Sequence, residues 1–532
     1  MSTRVLAALA PLHVLATWLF LHACGPGFPL DDAWGHMVYG RALSLGQGFA
    51  YNPGQPEAGV TAPLWTMIAA LPAGLTEWTG WLPRPDAAMR VLGALLGLAT
   101  AAVGWRLGAR AGRWPAFFAG LLLTFDPLLL AGRFSGMELP LFGLLTLLMV
   151  ESMLDGRTRA TGWLAGLALL TRPEGLLLAG LALARAIKHK ERPISLLLPV
   201  LFCALPFAAY NGWVAGQPWP NTWGNKAALT LDPGGTAAAL TALCGDIGWG
   251  WATPLLLAVG TIALAGAERA LPRMLLVISG TLLLGVLLSR ELPTGFDPPR
   301  VPFYWERYVL AAWPPLLLVM GAGLASLVRT AWAGVYCRPL AAVALVGPLV
   351  LAGALAHRVP AHASAVAARF AAECAQVEAQ NVAAGLWIDQ HLPADALVAT
   401  HDAGAVRYFG RRNVLDIWGN NDARLSALLR ESERLAGTPE AARAEAAVQD
   451  DLRARAPDAL VVFPALYAAE HSPEFRELMR ELPPDEAEAL QAQASDYAGF
   501  FGLTRRAQEF RVEQSAVVDG PLHQVLAVYV RP

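Results

Sequence analysis

Up to about residue 356, apolar runs of about 20 residues follow one another, separated by short loops in which arginine and lysine dominate. A hydrocarbon core roughly 30 Å thick is crossed by about 20 residues of helix rising about 1.5 Å each. The runs fall at 5–23, 87–106, 114–132, 138–154, 194–213, 248–266, 271–289, 309–328 and 339–356, with a further pair inside 161–187. About 11 transmembrane helices are therefore expected, and the fold class is a polytopic α-helical membrane protein. The whole 532-residue chain is 55% hydrophobic and 15% charged, against about 25% charged in soluble domains.

The basic loops set the orientation. Arg106, Arg110 and Arg113 form one cluster, Arg157 and Arg159 a second, and Arg185, Lys188, Lys190 and Arg192 a third. With Arg269, Arg273, Arg329 and Arg338 they alternate consistently if these loops and the N-terminus are cytoplasmic. The loops at 24–86, 214–247 and 290–308 then lie outside, in a bacterial inner (plasma) membrane. The first apolar stretch, after Arg4, reads as an uncleaved helix rather than a signal peptide. Residues 61–78 are apolar, yet counting them as a span would put the Arg106 cluster outside. They are expected to form a helix at the outer interface. Residues 161–187 are interrupted by Thr171-Arg172-Pro173-Glu174, a break expected to face a cavity rather than lipid.

Beyond residue 356, acids and bases become frequent. Helical patterns at 367–391 and 426–455 alternate with strand patterns at 396–400, 414–417, 459–463 and 524–530, which predicts a soluble α/β domain. The expected domains are a membrane domain, 1–356, and an extracytoplasmic domain, 357–532. A net charge of −2, with no basic run longer than Lys188-His189-Lys190-Glu191-Arg192, gives no sign of nucleic-acid binding. Cys24, Cys203, Cys244, Cys337 and Cys374 are scattered and show neither a disulfide framework nor metal-ligand spacing.

The strongest candidate for chemistry is Pro29-Leu30-Asp31-Asp32-Ala33-Trp34-Gly35-His36, directly after the first span. If Asp31 caps the helix that follows, Asp32 and His36 share a face. A carboxylate in a partly desolvated pocket can take a proton from a hydroxyl, and an aspartate here can equally serve as a cap. The turn-rich loop 46–57 contains Tyr51 and Asn52. Ser135 with Glu138, and Thr171 with Glu174, have capping-box spacing. Arg133 and Arg172 fall on the outer side or at cavity depth, where a buried arginine needs a partner. A phosphate is one such partner, and Glu138 or Glu174 is another. Outer-loop residues Asn221, Trp223 and Lys226 offer polar groups and a plane for a sugar, while Arg307 follows an aromatic run of interfacial type. His401-Asp402-Ala403-Gly404 and Asp416-Ile417-Trp418-Gly419 follow strands, where both sites and turns occur.

These residues resemble the GT-C superfamily of integral-membrane glycosyltransferases, in particular the bacterial group that includes the mycobacterial terminal arabinofuranosyltransferase. The matching pieces are Leu30-Asp31-Asp32-Ala33-Trp34, Tyr51-Asn52-Pro53-Gly54, Thr61-Ala62-Pro63-Leu64-Trp65, Ser135-Gly136-Met137-Glu138, Thr171-Arg172-Pro173-Glu174-Gly175, Pro220-Asn221-Thr222, Glu306-Arg307-Tyr308, Asp402-Ala403-Gly404 and Asp416-Ile417-Trp418-Gly419. The resemblance implies a polyprenyl-monophosphate sugar as donor and a glycan or glycolipid acceptor outside the membrane. It implies Asp31, or else Asp32, as general base of an inverting transfer. It also implies Arg133, Arg172, Lys226 and Arg307 as donor-phosphate ligands, with His36, Tyr51, Asn52, Glu138, Glu174, Asn221 and Trp223 toward the substrates. Neither a cofactor nor a metal is implied. A transporter or flippase of lipid-linked saccharides and a non-catalytic glycan-binding assembly protein are the alternatives from other classes.

Overall fold

In the computed structural model, which describes residues 3–80, 84–226, 249–250, 252–289, 307–336, 341–462, 480, 511–517 and 525–530, the apolar runs are helices. In chain order the elements are α1 (Thr3–His22), α2 (Asp31–Ser44), the hairpin strands β1 (Ala50–Asn52) and β2 (Gln55–Pro56), α3 (Pro63–Thr79), α4 (Asp86–Ala109), α5 (Arg113–Phe125), α6 (Pro127–Phe134) and α7 (Leu139–Leu154). Next come α8 (Thr158–Leu169), α9 (Gly175–Lys188), α10 (Pro193–Ala215), α11 (Asn221–Lys226), α12 (Ala252–Ala267), α13 (Ala270–Ser289), α14 (Trp313–Tyr336) and α15 (Ala341–Val377). A π-helical turn, Glu378–Val382, leads into α16 (Ala383–His391), β3 (Leu397–Thr400), α17 (Ala403–Gly410), β4 (Asn413–Asp416), α18 (Ala423–Leu435), α19 (Ala441–Arg455), β5 (Ala459–Val462), β6 (Arg511–Val517) and β7 (Val525–Val530).

Two compact units interleave along the chain. The first comprises Met1–Gly25, Asp86–Pro206 and Ala227–Ala371, and the second Pro26–Pro85, Phe207–Lys226 and Ala372–Pro532. The loop after the first helix, which lies within block 1–356 of the sequence, is thus built into the same unit as most of block 357–532.

Three helices among the described residues are long and apolar enough to cross a membrane: Asp86–Ala109, Pro193–Ala215 and Arg307–Thr330. A fourth span is obtained if α5 and α6, which meet at 51°, count as one. Leu139–Leu154 and Ala252–Ala267 are apolar but shorter, so the described residues give fewer long spans than the 11 or so expected. The bend between α5 and α6 has a local cause. Pro127 opens α6, the Asp126 side chain accepts the Leu129 N–H at 3.0 Å, and the Arg133 guanidinium turns back onto the carbonyls of Leu123 and Thr124 at the end of α5. Gly93 and Gly97 on α4 leave room for Arg133, since a Cβ on either would overlap it. Gly260 on α12 and Gly323 on α14 lie against each other's helix backbone, the close approach that small residues permit in membrane helices. The break expected inside 161–187 separates α8 from α9 and falls at Leu170–Glu174.

In the second unit, α2 packs along α3, with Gly40 against the Ala69 backbone. Helix α3 buries Trp65, Thr66, Ala69 and Ala73 and exposes Met67, Leu71, Leu75 and Trp78 along one stripe, the geometry that an interfacial helix requires. The C-terminal strands form a five-stranded sheet of order β4-β3-β5-β7-β6. Strands β3, β4 and β5 run parallel, and β7 and β6 join antiparallel. Ala399, Leu415, Leu460 and Val462 of the sheet pack with Leu425 of α18 and Val448 and Leu452 of α19. The helical pattern at 426–455 is divided into two helices, because Gly437 adopts φ +76° and Pro439 cannot continue a helix.

Candidate active site

Helix α2 begins at Asp31, and its N-cap residue, Leu30, is extended and offers no side-chain cap. The Asp31 carboxylate is engaged elsewhere. Its Oδ2 accepts the Gly404 N–H at 2.6 Å and its Oδ1 the Ala405 N–H at 2.8 Å, so it caps α17, a helix more than 370 residues away in sequence. Asp402, the N-cap residue of α17, makes no capping bond with its own side chain. Both carboxylates accept from one amide: Asn381 Nδ2 lies 3.4 Å from Asp31 Oδ1 and 3.2 Å from Asp402 Oδ2. Close approach requires Gly404, where a Cβ would overlap the Asp31 carbonyl oxygen and lie 2.9 Å from the Gly35 nitrogen. Burial, and then the charges of Asp402 and Asp32, push the Asp31 carboxyl well above the usual carboxylate range, against the opposing pull of the two N–H groups. Asp32 is exposed.

The other residues expected near Asp31 clamp this unit together. His36 is buried, with Nδ1 at 3.0 Å from the Thr66 hydroxyl of α3. The Tyr51 hydroxyl donates to the Ala403 carbonyl at 2.6 Å, and the Arg407 Nε donates to the Tyr51 carbonyl. Asn52 exchanges two bonds of 2.9 Å with the Val414 backbone, as a strand neighbour would. The Asp416 carboxylate accepts the N–H groups of Trp418 and Asn421, and Asn421 in turn accepts the Tyr39 hydroxyl. Asn221 is buried and bonded through its N–H to the Ala58 carbonyl, while Trp223 is half-buried beside it. The Lys226 side chain lies outside the described residues.

In the first unit, Arg172 sits between two glutamates. Its guanidinium reaches Glu138 at 2.5 Å and Glu174 at 2.9 Å, with a side-chain exposure of only 4%. It lies over the rings of Phe142 and Tyr308, and Arg307 lies over Tyr308 and donates to its hydroxyl at 3.0 Å. The glutamates therefore do not close capping boxes. Neither α7 nor α9 has a side-chain cap at its start, and Ser135 and Thr171 bond back to the carbonyls of Gly132 and Leu167. A buried guanidinium outcompetes a helix N–H for a carboxylate because leaving it unpaired costs far more. Arg133, bonded to two carbonyls, does not join this cluster.

Three participants had little or no signature in the sequence. Asn381 sits in a π turn that is held from the other side by a two-pronged pair, Arg84 to Glu378 at 2.5 and 2.8 Å. Its only signal is a polar run, Gln376, Glu378, Gln380 and Asn381, inside an alanine-rich stretch. Asp402 belonged to a recognised motif without a role. Glu57 accepts the Ala423 N–H at 3.2 Å beside Asp422.

Residues 371–512 match a family model described as a domain of unknown function (DUF8728). No curated protein matches the sequence. Among solved structures, ArnT from Cupriavidus metallidurans bound to undecaprenyl phosphate aligns with a TM-score of 0.56 at 15% identity, covering 99% of this chain and 98% of that one. Its apo form aligns with a TM-score of 0.56 at 14% identity, covering 98% and 97%. An Archaeoglobus fulgidus oligosaccharyltransferase, tethered to an acceptor peptide containing the NVT sequon, aligns at 0.53 and 10% identity, covering 98% of this chain and 74% of that one. The chain has the GT-C membrane fold.

Two outcomes follow from these geometries. Glu57 is pushed up to about 8, mainly by burial and then by Asp422, from an ordinary 4.5. The folded state thus holds a proton that the unfolded chain releases earlier. The stabilisation is complete below about 4.5 and is lost as pH rises through about 8. Thermal midpoints should fall between those values, and Glu57→Gln should flatten the fall; an unchanged slope would contradict the assignment. Arg172→Gln removes the cation that bonds both Glu138 and Glu174, and denaturation in detergent should show a loss of about 3–5 kcal/mol. Changing Glu138 and Glu174 to Gln as well should restore most of it.

Proposed function

We propose that the chain is a membrane glycosyltransferase that takes a sugar from a polyprenyl-monophosphate donor and places it on a hydroxyl of an extracytoplasmic glycan or glycolipid. The observation that carries this reading is the likeness, over almost the full length of both chains, to ArnT with undecaprenyl phosphate bound. In this reading the protein lies in a bacterial inner membrane with its N-terminus cytoplasmic, as the cytoplasmic arginine clusters suggest.

Asp31 is the proposed base. It takes the proton of the acceptor hydroxyl, whose oxygen attacks the anomeric carbon. The bond from that carbon to the phosphate oxygen breaks with its electron pair, polyprenyl phosphate leaves, and the configuration inverts. Two backbone N–H groups fix the orientation of the Asp31 oxygens, and its raised proton affinity makes it a stronger base than an exposed carboxylate. Asp32, at the next position, is exposed. Arg307 is the proposed ligand of the donor phosphate: it stands at the start of the span Arg307–Thr330, where the helix dipole also favours an anion. Arg172, neutralised by its glutamates, supports the Tyr308 ring on which Arg307 rests, and Lys226 is the second phosphate candidate.

The test uses full-length protein purified in detergent. Lipids that co-purify are extracted and measured by mass spectrometry before and after incubation with an envelope glycan fraction. The expected result is a polyprenyl-phosphate sugar converted to polyprenyl phosphate when acceptor is added. A lipid-linked saccharide that stays intact would favour transport or simple binding and contradict the proposal.

A further inference from the structure

Asp402 and Asn381 come from the C-terminal segment, far in sequence from Asp31, yet they share its hydrogen bonds. Two features of the arrangement call for a cause. An aspartate at an N-cap position ordinarily caps its own helix, but Asp402 leaves the N–H groups of α17 to Asp31. The backbone turns into a π helix at Glu378–Val382, a conformation that is rare and often marks functional positions. That turn carries Asn381, only 3% exposed, to where its amide reaches one oxygen of each carboxylate. The two like charges repel, and the Asp402 charge raises the proton affinity of Asp31.

We propose that Asp402 and Asn381 are positioning residues for Asp31: Asp402 keeps the Asp31 carboxylate basic by placing a second negative charge beside it, and Asn381 fixes the pair by donating to both. The proposal rests on the reading of Asp31 as the base, and adds that the C-terminal segment supplies the groups that tune it. The charged and titratable groups facing Asp31 are Asp32 on α2, Tyr51 on β1, and Asp402 before α17, with His401 3.7 Å from Asp402 and Arg407 bonded to the Tyr51 carbonyl. Asp402 is the largest of the charge effects that raise Asp31. Its side chain keeps 36% of its surface exposed, so the pair is open to solvent on one side.

The test reads proton occupancy, not transfer, so it can fail while the proposed function stands, and the reverse. A hydrophobic carbodiimide adds to protonated carboxyl groups, the carboxyl oxygen bonding to the carbodiimide carbon while the proton passes to its nitrogen. Peptide mass spectrometry then locates the adduct. Full-length protein in nanodiscs is labelled from pH 4 to 9, and the midpoint of Asp31 labelling is compared among variants whose thermal midpoints are also measured. Asp402→Asn should lower the midpoint by about one pH unit, and Asp402→Glu should return it. Asn381→Ala, which removes a donor to the ionised form, should raise it. A purely structural role would change the thermal midpoint and leave the labelling midpoints where they are. Midpoints that do not move in Asp402→Asn, or an Asp31 that stays unlabelled throughout, would overturn the proposal.

Discussion

One carboxylate ties two distant parts of the chain together. Asp31 accepts the N–H groups of Gly404 and Ala405, so the helix that begins just after the first apolar span is joined to a helix of the C-terminal sheet. Charge-assisted bonds of this kind contribute about 1.5–3 kcal/mol each. Their larger effect is on geometry. With Asp31 in place, Gly404 must be a glycine, Tyr51 can reach the Ala403 carbonyl, Asn52 can pair with Val414, and Trp34 can pack against Tyr408 and Phe409. The loop 26–85 and the C-terminal sheet are consequently one unit, although more than 300 residues separate them in sequence.

In the first unit, arginines are paired with carboxylates. Arg172 is held by Glu138 and Glu174, and Arg106 on the loop side is held by Glu151 through two bonds. Breaking a helix at Leu170–Glu174 frees the turn that lets one arginine face two carboxylates from different helices. Desolvation makes such a cluster costly to assemble and more costly to leave incomplete. In the proposed reaction that rigidity holds Tyr308, and through it Arg307, in a fixed orientation.

The helices were legible because the hydrophobic length of a bilayer is written into the chain, and the break at Arg172 because polar residues interrupt it. Strands β3, β4 and β5 fell within a residue or two of their periodic patterns. Partners were not legible. Asp31, Tyr51 and Asn52 each stood in a motif, but the groups that they bond lie more than 350 residues away, beyond the reach of any local period. Glu138 and Glu174 matched the spacing of a capping box and turned instead to Arg172, since a buried cation competes better than a backbone N–H. Asn381 carried no motif at all, because a π turn has no period that a helical pattern would reveal.

Asp31 has an evident structural task and is also the proposed base of glycosyl transfer. The two roles separate when Asp31→Asn is assayed for turnover of its co-purified lipid donor and for thermal stability on the same preparation. The expected result is a lower thermal midpoint together with a loss of turnover of about 10²–10⁴-fold in the protein that remains folded. A folded Asp31→Asn variant that transfers sugar at the native rate would contradict it.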